Sequence, residues 1–242
     1  MATEADLLGA FEDHSVDEIR RIVASGVSPV KPIKGKRPID CLIESYYRST
    51  RFAECLRVLL DAGADLGDPL LEAVLLDDSE ALKIEAAVGV RFNPLTAFTS
   101  CRGVTALHLC AEFNSLRCGK LLIEAGADVN ARSEVTSDGI GGHTPIFHAV
   151  NSLFNYCRPM MELLVAAGAS LDIRVPILLW GESFPWETLV FDASPISYAQ
   201  CGLYRQFHRN EHDVFDSVAF LHRARSGSFP PERNVPNQYL AS

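Results

Sequence analysis

The residues of this chain whose types and spacing come nearest to a chemical site are His208, Glu211 and His212. They follow the order H-x-x-E-H, which on a continuous helix places two imidazoles on one face with a carboxylate between them, as in a class of zinc peptidases. Such a site needs a third protein ligand, and the short C-terminal tail offers only Glu232. The pattern keeps a metal-dependent hydrolase open as an alternative, but it favours the simpler interpretation that these residues are surface charges.

Other signals of catalysis are weak. Cys201 stands next to Gly202 with histidines nearby, but a cysteine in such a setting is more often a buried packing residue than a nucleophile. The sequence contains no Walker loop, no G-x-G-x-x-G after a strand and no Ser, His and Asp in the order of a triad. We therefore expect no catalytic residue, no bound metal and no cofactor, and a protein that is not an enzyme.

The most regular stretch is residues 103–132, GVTALHLCAEFNSLRCGKLLIEAGADVNAR, which predicts two helices joined by a short break. Thr105 is placed to cap the first helix, Asn114 and Ser115 form the break, and Gly126 ends the second helix where a left-handed residue is needed. The second helix is expected to bury an apolar stripe made of Leu116, Leu121, Leu122 and Ile123. One such pair cannot bury its apolar face alone, so the rest of the chain must supply neighbours.

This stretch resembles an ankyrin repeat, whose pattern is T-P-L-H-L-A-A, a glycine-containing break and then L-L-x-x-G-A-D-V-N, with Ala106 where proline is usual. Together with this one, six repeat starts occur near residues 5, 37, 68, 105, 144 and 194, and a glycine closes the unit at Gly26, Gly63, Gly89, Gly126 and Gly168. The resemblance implies an all-α fold, an elongated solenoid of six stacked helix pairs with irregular loop insertions. It places one ankyrin-repeat domain at residues 1–226, with an insertion at 172–193, and a polar, proline-containing tail at 227–242.

Several segments depart from the repeat pattern. Residues 46–50 lengthen the joint between the two helices of the second repeat, residues 90–102 predict a loop without regular structure, and the glycine-rich residues 133–142 predict a mobile finger. The insertion at 172–193 contains the apolar runs VPILLW and TLVF, which are typical of strands. We expect it either to brace the last repeats, which is the favoured role, or to form a functional edge, with residues 177–179 packed down and Trp186 near the surface.

The resemblance implies a protein-binding module that uses the concave face formed by the first helices of the pairs (the palm) and the loops between repeats (the fingers). The candidate contact residues are Glu112, Phe113 and Asn151 on the palm, Arg102, His143 and Phe191 on the fingers, and Trp180 and Trp186 in the insertion. Phe113 is the candidate anchor, because an exposed aromatic side chain often dominates binding energy.

Two polar residues have counterparts in the family. The resemblance assigns His108 to hydrogen bonds that tie the start of its helix to the next turn. Asn130 matches the turn asparagine that oxygen-dependent asparaginyl hydroxylases modify in ankyrin repeats, although an asparagine chosen for its turn geometry is the simpler explanation.

Composition limits the partner and the compartment. A net charge of −9 and a pI near 5.2 disfavour nucleic acid or an anionic membrane and favour a basic protein partner. The N-terminal sequence MATEADLLGAFED lacks the basic start of a signal peptide, and the longest apolar run is too short to span a bilayer. Seven cysteines without a C-x-x-C pair indicate reduced thiols, so we expect a cytoplasmic protein. We also expect it to be a monomer.

A dedicated inhibitor or immunity-type subunit with one tight partner is the alternative to a general binding module.

Overall fold

The computed structural model describes residues 2–45, 47–83, 87, 90–92, 102–137, 139–180 and 187–229, with the backbone alone for residues 91, 92, 180 and 187–191. Within these residues the chain is mostly helical, and its four strands contain 2, 2, 6 and 7 residues. The predicted all-α class is confirmed. No helix in the described ranges combines the length and the apolar character needed to cross a membrane.

The helices follow one another as antiparallel pairs, except that in the third repeat only the bounds of the first helix, α5, lie in the described residues. The first helix of each repeat begins at a predicted repeat start. Their bounds are α1 Glu4–Glu12 and α2 Val16–Ala24, α3 Pro38–Ile43 and α4 Phe52–Asp61, α5 Pro69–Leu75, α6 Ala106–Phe113 and α7 Leu116–Glu124, α8 Pro145–Ala149 and α9 Arg158–Ala166, and α10 Pro195–Gln200 and α11 Glu211–Ser226. Gly89, which closes the third repeat in the sequence pattern, lies outside the described residues, as do residues 230–242 of the tail.

Local signals explain where these helices begin and end. Proline occupies the first turn of α3, α5, α8 and α10, where its missing N–H removes no helical hydrogen bond. Each of α2, α4, α7 and α9 is followed by a glycine at positive φ, with values of 100° at Gly26, 94° at Gly63, 88° at Gly126 and 91° at Gly168. Because only glycine adopts this conformation without strain, the four outer helices stop in the same way.

The core is one layer of buried side chains that continues from α1 to α11. Leu107 of α6 and Leu122 of α7 lie in it as predicted, but Leu116 is 38% exposed, so the predicted stripe of α7 is wrong at that position. The buried face of α7 contains Cys118 and Gly119 instead. A Cβ on Gly119 would come within 2.8 Å of Met160, so this glycine lets α7 and α9 pack closely.

Two loops are more regular than the sequence predicts. Residues Arg91–Phe92 (β1) pair in antiparallel fashion with Val104–Thr105 (β2), so the expectation that residues 90–102 lack regular structure is wrong at this end. The finger at residues 133–142 is a narrow hairpin, in which the Ser133 N–H donates to the carbonyl of His143 at 2.9 Å and the Thr136 N–H donates to that of Ile140 at 2.8 Å. Paired backbone groups of this kind replace the predicted mobile finger.

The described residues of the insertion at 172–193 include two paired strands, not an irregular loop. Strand β3 (Val175–Trp180) pairs with β4 (Glu187–Ala193) in antiparallel register, with Leu178 opposite Leu189. Alternate residues of β3 face the stack, and Val175, Ile177 and Leu179 are buried. The strand-like pattern and the packing predicted for residues 177–179 are confirmed, except that Leu178 is only half-buried. Trp186 lies outside the described residues, so its position near the surface stays a prediction.

Candidate interaction surfaces

The palm residue Phe113 is buried, with 3% of its surface exposed. It is covered by the second repeat, because the Arg48 guanidinium carbon lies 4.4 Å from the centre of the Phe113 ring and the Phe52 ring lies 5.0 Å away. The prediction that Phe113 is an exposed anchor is therefore wrong. Arg48 lies among the extra residues in the joint of the second repeat, and it contacts the fourth repeat. The repeat pattern does not encode this long-range contact.

Arg48 places a buried positive charge between these repeats. Its side chain is 7% exposed, its Nη2 donates to the Ile43 carbonyl at 2.9 Å, and its Nη1 donates to the Ser45 carbonyl. Nη2 also lies 3.5 Å from Oε1 of Glu112. A buried guanidinium is tolerated only when it is paired and hydrogen-bonded in this way. Glu112, predicted as a palm contact, is thus engaged with Arg48 inside the protein.

The second carboxylate oxygen of Glu112 lies 3.2 Å from Nδ1 of His148, whose ring meets that of His108 edge-on at 5.3 Å. A carboxylate beside an imidazole is half of a nucleophilic triad. The nearby thiol of Cys157, however, donates to the backbone carbonyl of Glu112 at 3.3 Å, and burial raises the pKa of this thiol to about 12. This cluster therefore joins the second, fourth and fifth repeats and does not activate a nucleophile.

His108 has the structural role that the resemblance assigns to it. Its Nδ1 accepts a hydrogen bond from the Thr105 N–H at 3.0 Å, and its Nε2 donates to the carbonyl of His143 at 3.0 Å. The first bond closes the N-terminus of α6, and the second holds the following finger. The ring of His143 itself packs edge-on against Phe147 at 5.4 Å, so its predicted finger contact is only partly accessible.

The remaining predicted contact residues fall into three groups. Asn151 is engaged within the protein, because its Nδ2 donates to the Tyr198 carbonyl at 2.6 Å and its Oδ1 accepts from Arg209 at 2.8 Å. Arg102 is exposed, and its backbone carbonyl accepts from the Glu134 N–H at 2.8 Å. The side chains of Trp180, Trp186 and Phe191 lie outside the described residues, so their contacts stay predictions.

The H-x-x-E-H segment does not form one helix. His208 has a left-handed backbone with φ of 49° and ends a 3-10 turn. The side chain of Asn210 then accepts from the Asp213 N–H at 3.1 Å, and this cap starts α11 at Glu211. The alternative of a zinc site on one helical face is therefore wrong in its geometry. In the part of the chain that the structure describes, no three His, Cys, Asp or Glu side chains converge as metal ligands.

Arg209, inside the same segment, has a role that the sequence did not suggest. Its Nη1 donates to the Val150 carbonyl at 2.9 Å and to Asn151, and its Nη2 donates to Oδ1 of Asn155 at 2.5 Å. Ser217 also donates to that oxygen, at 2.8 Å. We call Arg209, Asn151, Asn155 and Ser217 the Arg209 clamp, because they hold the joints of the last two repeats together.

Comparison with known proteins agrees with this architecture. A family model described as ankyrin repeats, in three copies, matches residues 51–175, about half of the chain. The chain belongs to the ankyrin repeat family. It is 36% identical over 85 residues to the human protein named ankyrin repeat and SOCS box protein 16. That match covers 33% of this chain and 18% of the relative, so the chain corresponds to less than a fifth of the relative's length.

Asn130 occupies the turn between ankyrin repeats four and five. Its Nδ2 donates to the Gly168 carbonyl at 3.1 Å, and its Oδ1 accepts from the Ser170 N–H at 2.7 Å. Both ends of the amide therefore bond the next turn of the ankyrin stack. These bonds give the Asn130 side chain a structural role, which is enough to account for an asparagine at this position. Hydroxylation of Asn130 is not tested by them.

The exposed large apolar side chains concentrate near the C-terminal end of the ankyrin stack. Phe154 is 72% exposed, Leu203 50% and Tyr204 53%. Phe154 lies in the joint of the fifth repeat, while Leu203 and Tyr204 lie in that of the sixth. We call these three residues the joint patch. The only sequence signal for it was the extra length of the two joints.

Proposed function

We propose that this chain is a non-enzymatic protein-binding module. The observation that carries the proposal is its family: the chain is a stack of ankyrin repeats. Its polar clusters around Arg48 and Arg209 make hydrogen bonds that join residues within the stack. The exposed apolar side chains and the paired finger at residues 133–142 support a protein as the partner. The net charge of −9 favours a basic partner for the molecule as a whole, acting as a cytoplasmic monomer.

A dedicated inhibitor with one tight partner is a second candidate. It is favoured by the β3–β4 hairpin and the lengthened joints, which are additions to the repeat pattern. A general binding module would capture several partners with fast exchange, whereas a dedicated inhibitor would capture one with slow dissociation.

The test uses the full chain, immobilised, to capture proteins from a native lysate for identification by mass spectrometry. Each captured protein is then purified and its binding measured by calorimetry. A variant with Leu107→Asp, which disrupts the core of the fourth repeat, is the unfolded control. Stoichiometric binding to the native chain alone supports the proposal. Captured proteins that bind both forms equally, or stoichiometric zinc in the purified native protein, would contradict it.

A further inference from the structure

The end of α11 carries two arginines at a regular spacing before a serine. Residues 223–229 have the sequence RARSGSF, so Arg223 and Arg225 stand five and three positions before Ser228, and Phe229 follows it. A protein kinase whose peptide groove is lined with carboxylates selects arginine at these two positions, and an apolar pocket next to the acceptor selects a bulky residue after it. The spacing therefore indicates a serine that accepts a phosphoryl group.

The structure leaves this segment accessible, because each of its seven residues is exposed. Leu221 is the last buried residue of α11, and the helix ends at Gly227, whose N–H donates to the Arg223 carbonyl at 2.8 Å. Ser228 thus lies beyond the last helical turn, next to Phe229, which is 66% exposed. An enzyme can reach the Ser228 hydroxyl without disturbing the core.

A kinase binds its substrate as an extended chain, so the last turn of α11 must unwind before Arg223 and Arg225 enter the groove. The contacts described in this turn lie on the surface. The Ser226 hydroxyl donates to the His222 carbonyl at 2.8 Å, and Nη2 of Arg225 lies 2.5 Å from Oδ1 of Asp172. Both side chains of that ion pair are exposed, and such pairs contribute little to stability. A helix end that buries no side chain opens readily.

The spacing of the two arginines distinguishes Ser228 within the chain. No other serine or threonine of the sequence has arginine at both the fifth and the third position before it. Ser25 has a similar setting, since it is exposed at the end of α2 and follows Arg20 and Arg21 by five and four positions. It lacks the arginine at the third position, and Gly26 follows it. Ser25 is therefore a control inside the same protein.

A phosphate on Ser228 would lie beside basic side chains of α11. Nδ1 of His222 donates to the Ser228 carbonyl at 3.0 Å, and the Arg223 guanidinium carbon lies 5.0 Å from the centre of the Phe229 ring. The chain has therefore turned back onto the last turn of the helix at this serine. A phosphoserine carries a charge of about −1.5 to −2 at pH 7 and accepts charge-assisted hydrogen bonds from arginine.

We propose that Ser228 is a phosphorylation site for a protein kinase that selects arginine, and that Arg223 pairs with the phosphate once it is formed. The Ser228 hydroxyl oxygen attacks the γ-phosphorus of a nucleoside triphosphate bound to the kinase. The new O–P bond replaces the bond to the β-phosphate oxygen, so a nucleoside diphosphate leaves, and the hydroxyl proton passes to a carboxylate of the kinase. Phosphorylation and the proposed protein binding are independent properties of the chain.

The test incubates the folded full chain with ATP, Mg²⁺ and a purified kinase that selects arginine at both positions. Mass spectrometry of the digested product then locates the phosphate. We expect it on Ser228 and not on Ser25. Ser228→Ala should abolish incorporation, whereas the matched control Ser226→Ala, which removes the neighbouring hydroxyl, should not lower it. Arg225→Ala should lower kcat/KM about tenfold or more, as for the loss of a hydrogen bond between charged groups.

The pairing with Arg223 has its own readout, since a nearby guanidinium favours the doubly charged form of a phosphate. In phosphorus NMR, the phosphate of the native chain should titrate at a lower pH than that of phosphorylated Arg223→Gln. Equal titrations would overturn the pairing. Incorporation that Ser228→Ala leaves unchanged, or a native chain that takes up no phosphate, would overturn the site. Neither result changes the capture of partners, so the proposed binding function is tested separately.

Discussion

The guanidinium carbon of Arg48 lies 4.4 Å from the centre of the Phe113 ring, although 65 positions separate the two residues along the chain. This contact joins the second repeat to the fourth and passes over the third, whose sequence departs most from the pattern. It also closes the palm at a position that the family pattern leaves open. One insertion of a few residues therefore both strengthens the stack and removes a predicted binding surface.

Arg48→Ala should lower the free energy of unfolding by about 3–5 kcal/mol, because it removes the positive partner of the buried Glu112 carboxylate. Arg51→Ala is the matched control, since Arg51 is exposed and its carboxylate contact, to Asp17, is 3.9 Å long. A surface arginine of this kind is expected to change stability by about 0.5 kcal/mol or less. Urea denaturation of both variants measures the difference. Equal midpoints would show that the Arg48 contacts contribute nothing to the stack.

Stability should decrease as the pH falls below about 6.5, because buried histidines must then take up a proton on unfolding. Burial, with a further contribution from Arg48, lowers the pKa of His14 from 6.5 to about 4 in the folded protein. The unfolded chain therefore binds more protons between these values, and the stabilisation is complete only above the unfolded pKa. Urea midpoints from pH 7 to 5 should fall for the native chain and fall less for His14→Asn. Parallel curves for the two proteins would contradict this assignment.

The repeat architecture could be predicted from the sequence because its signals are local. Pro38 or Pro145 at a helix start, and Gly26 or Gly126 after a helix end, act within a few residues and need no knowledge of neighbours. The strand character of residues 175–180 was local in the same sense, since an apolar run of that length predicts a strand wherever it packs.

The surfaces could not be predicted in this way, because burial depends on contacts between distant residues. Phe113 stands at a palm position, yet Arg48 covers it. Asn151 also stands at a palm position, yet it bonds Tyr198 and Arg209 in the next repeat. In both cases one of the partners, Arg48 or Arg209, comes from a lengthened joint, whose path the repeat pattern does not specify.

Gly141→Ala should open the finger at residues 133–142. Its φ is +124°, and an added Cβ would lie 2.0 Å from the Glu134 carbonyl oxygen, so the backbone itself must move. We expect a loss of about 2 kcal/mol or more and faster proteolysis within the finger. Gly139→Ala is the control, because its φ is +81° but the space around it is open. Proteolysis that is equally fast in both variants would show that the finger is not closed by the Gly141 contact.

The last prediction separates the two roles left open for the β3–β4 hairpin. If the hairpin braces the stack, Ile177→Ala should lower the free energy of unfolding by about 2–5 kcal/mol, since Ile177 is buried against the repeats. Leu178→Ala, on the half-buried face of the same strand, should lower the free energy of unfolding by less. It controls for the loss of strand propensity.

Trp186→Ala then tests whether the hairpin is a functional edge. Unchanged melting with loss of partner binding would make the hairpin a functional edge, whereas a melting loss worth about 3 kcal/mol or more would make Trp186 part of the brace. We expect bracing to be the main role, because alternate residues of β3 pack into the stack. If the hairpin served only to bind a partner, the Ile177→Ala variant would be as stable as the native chain.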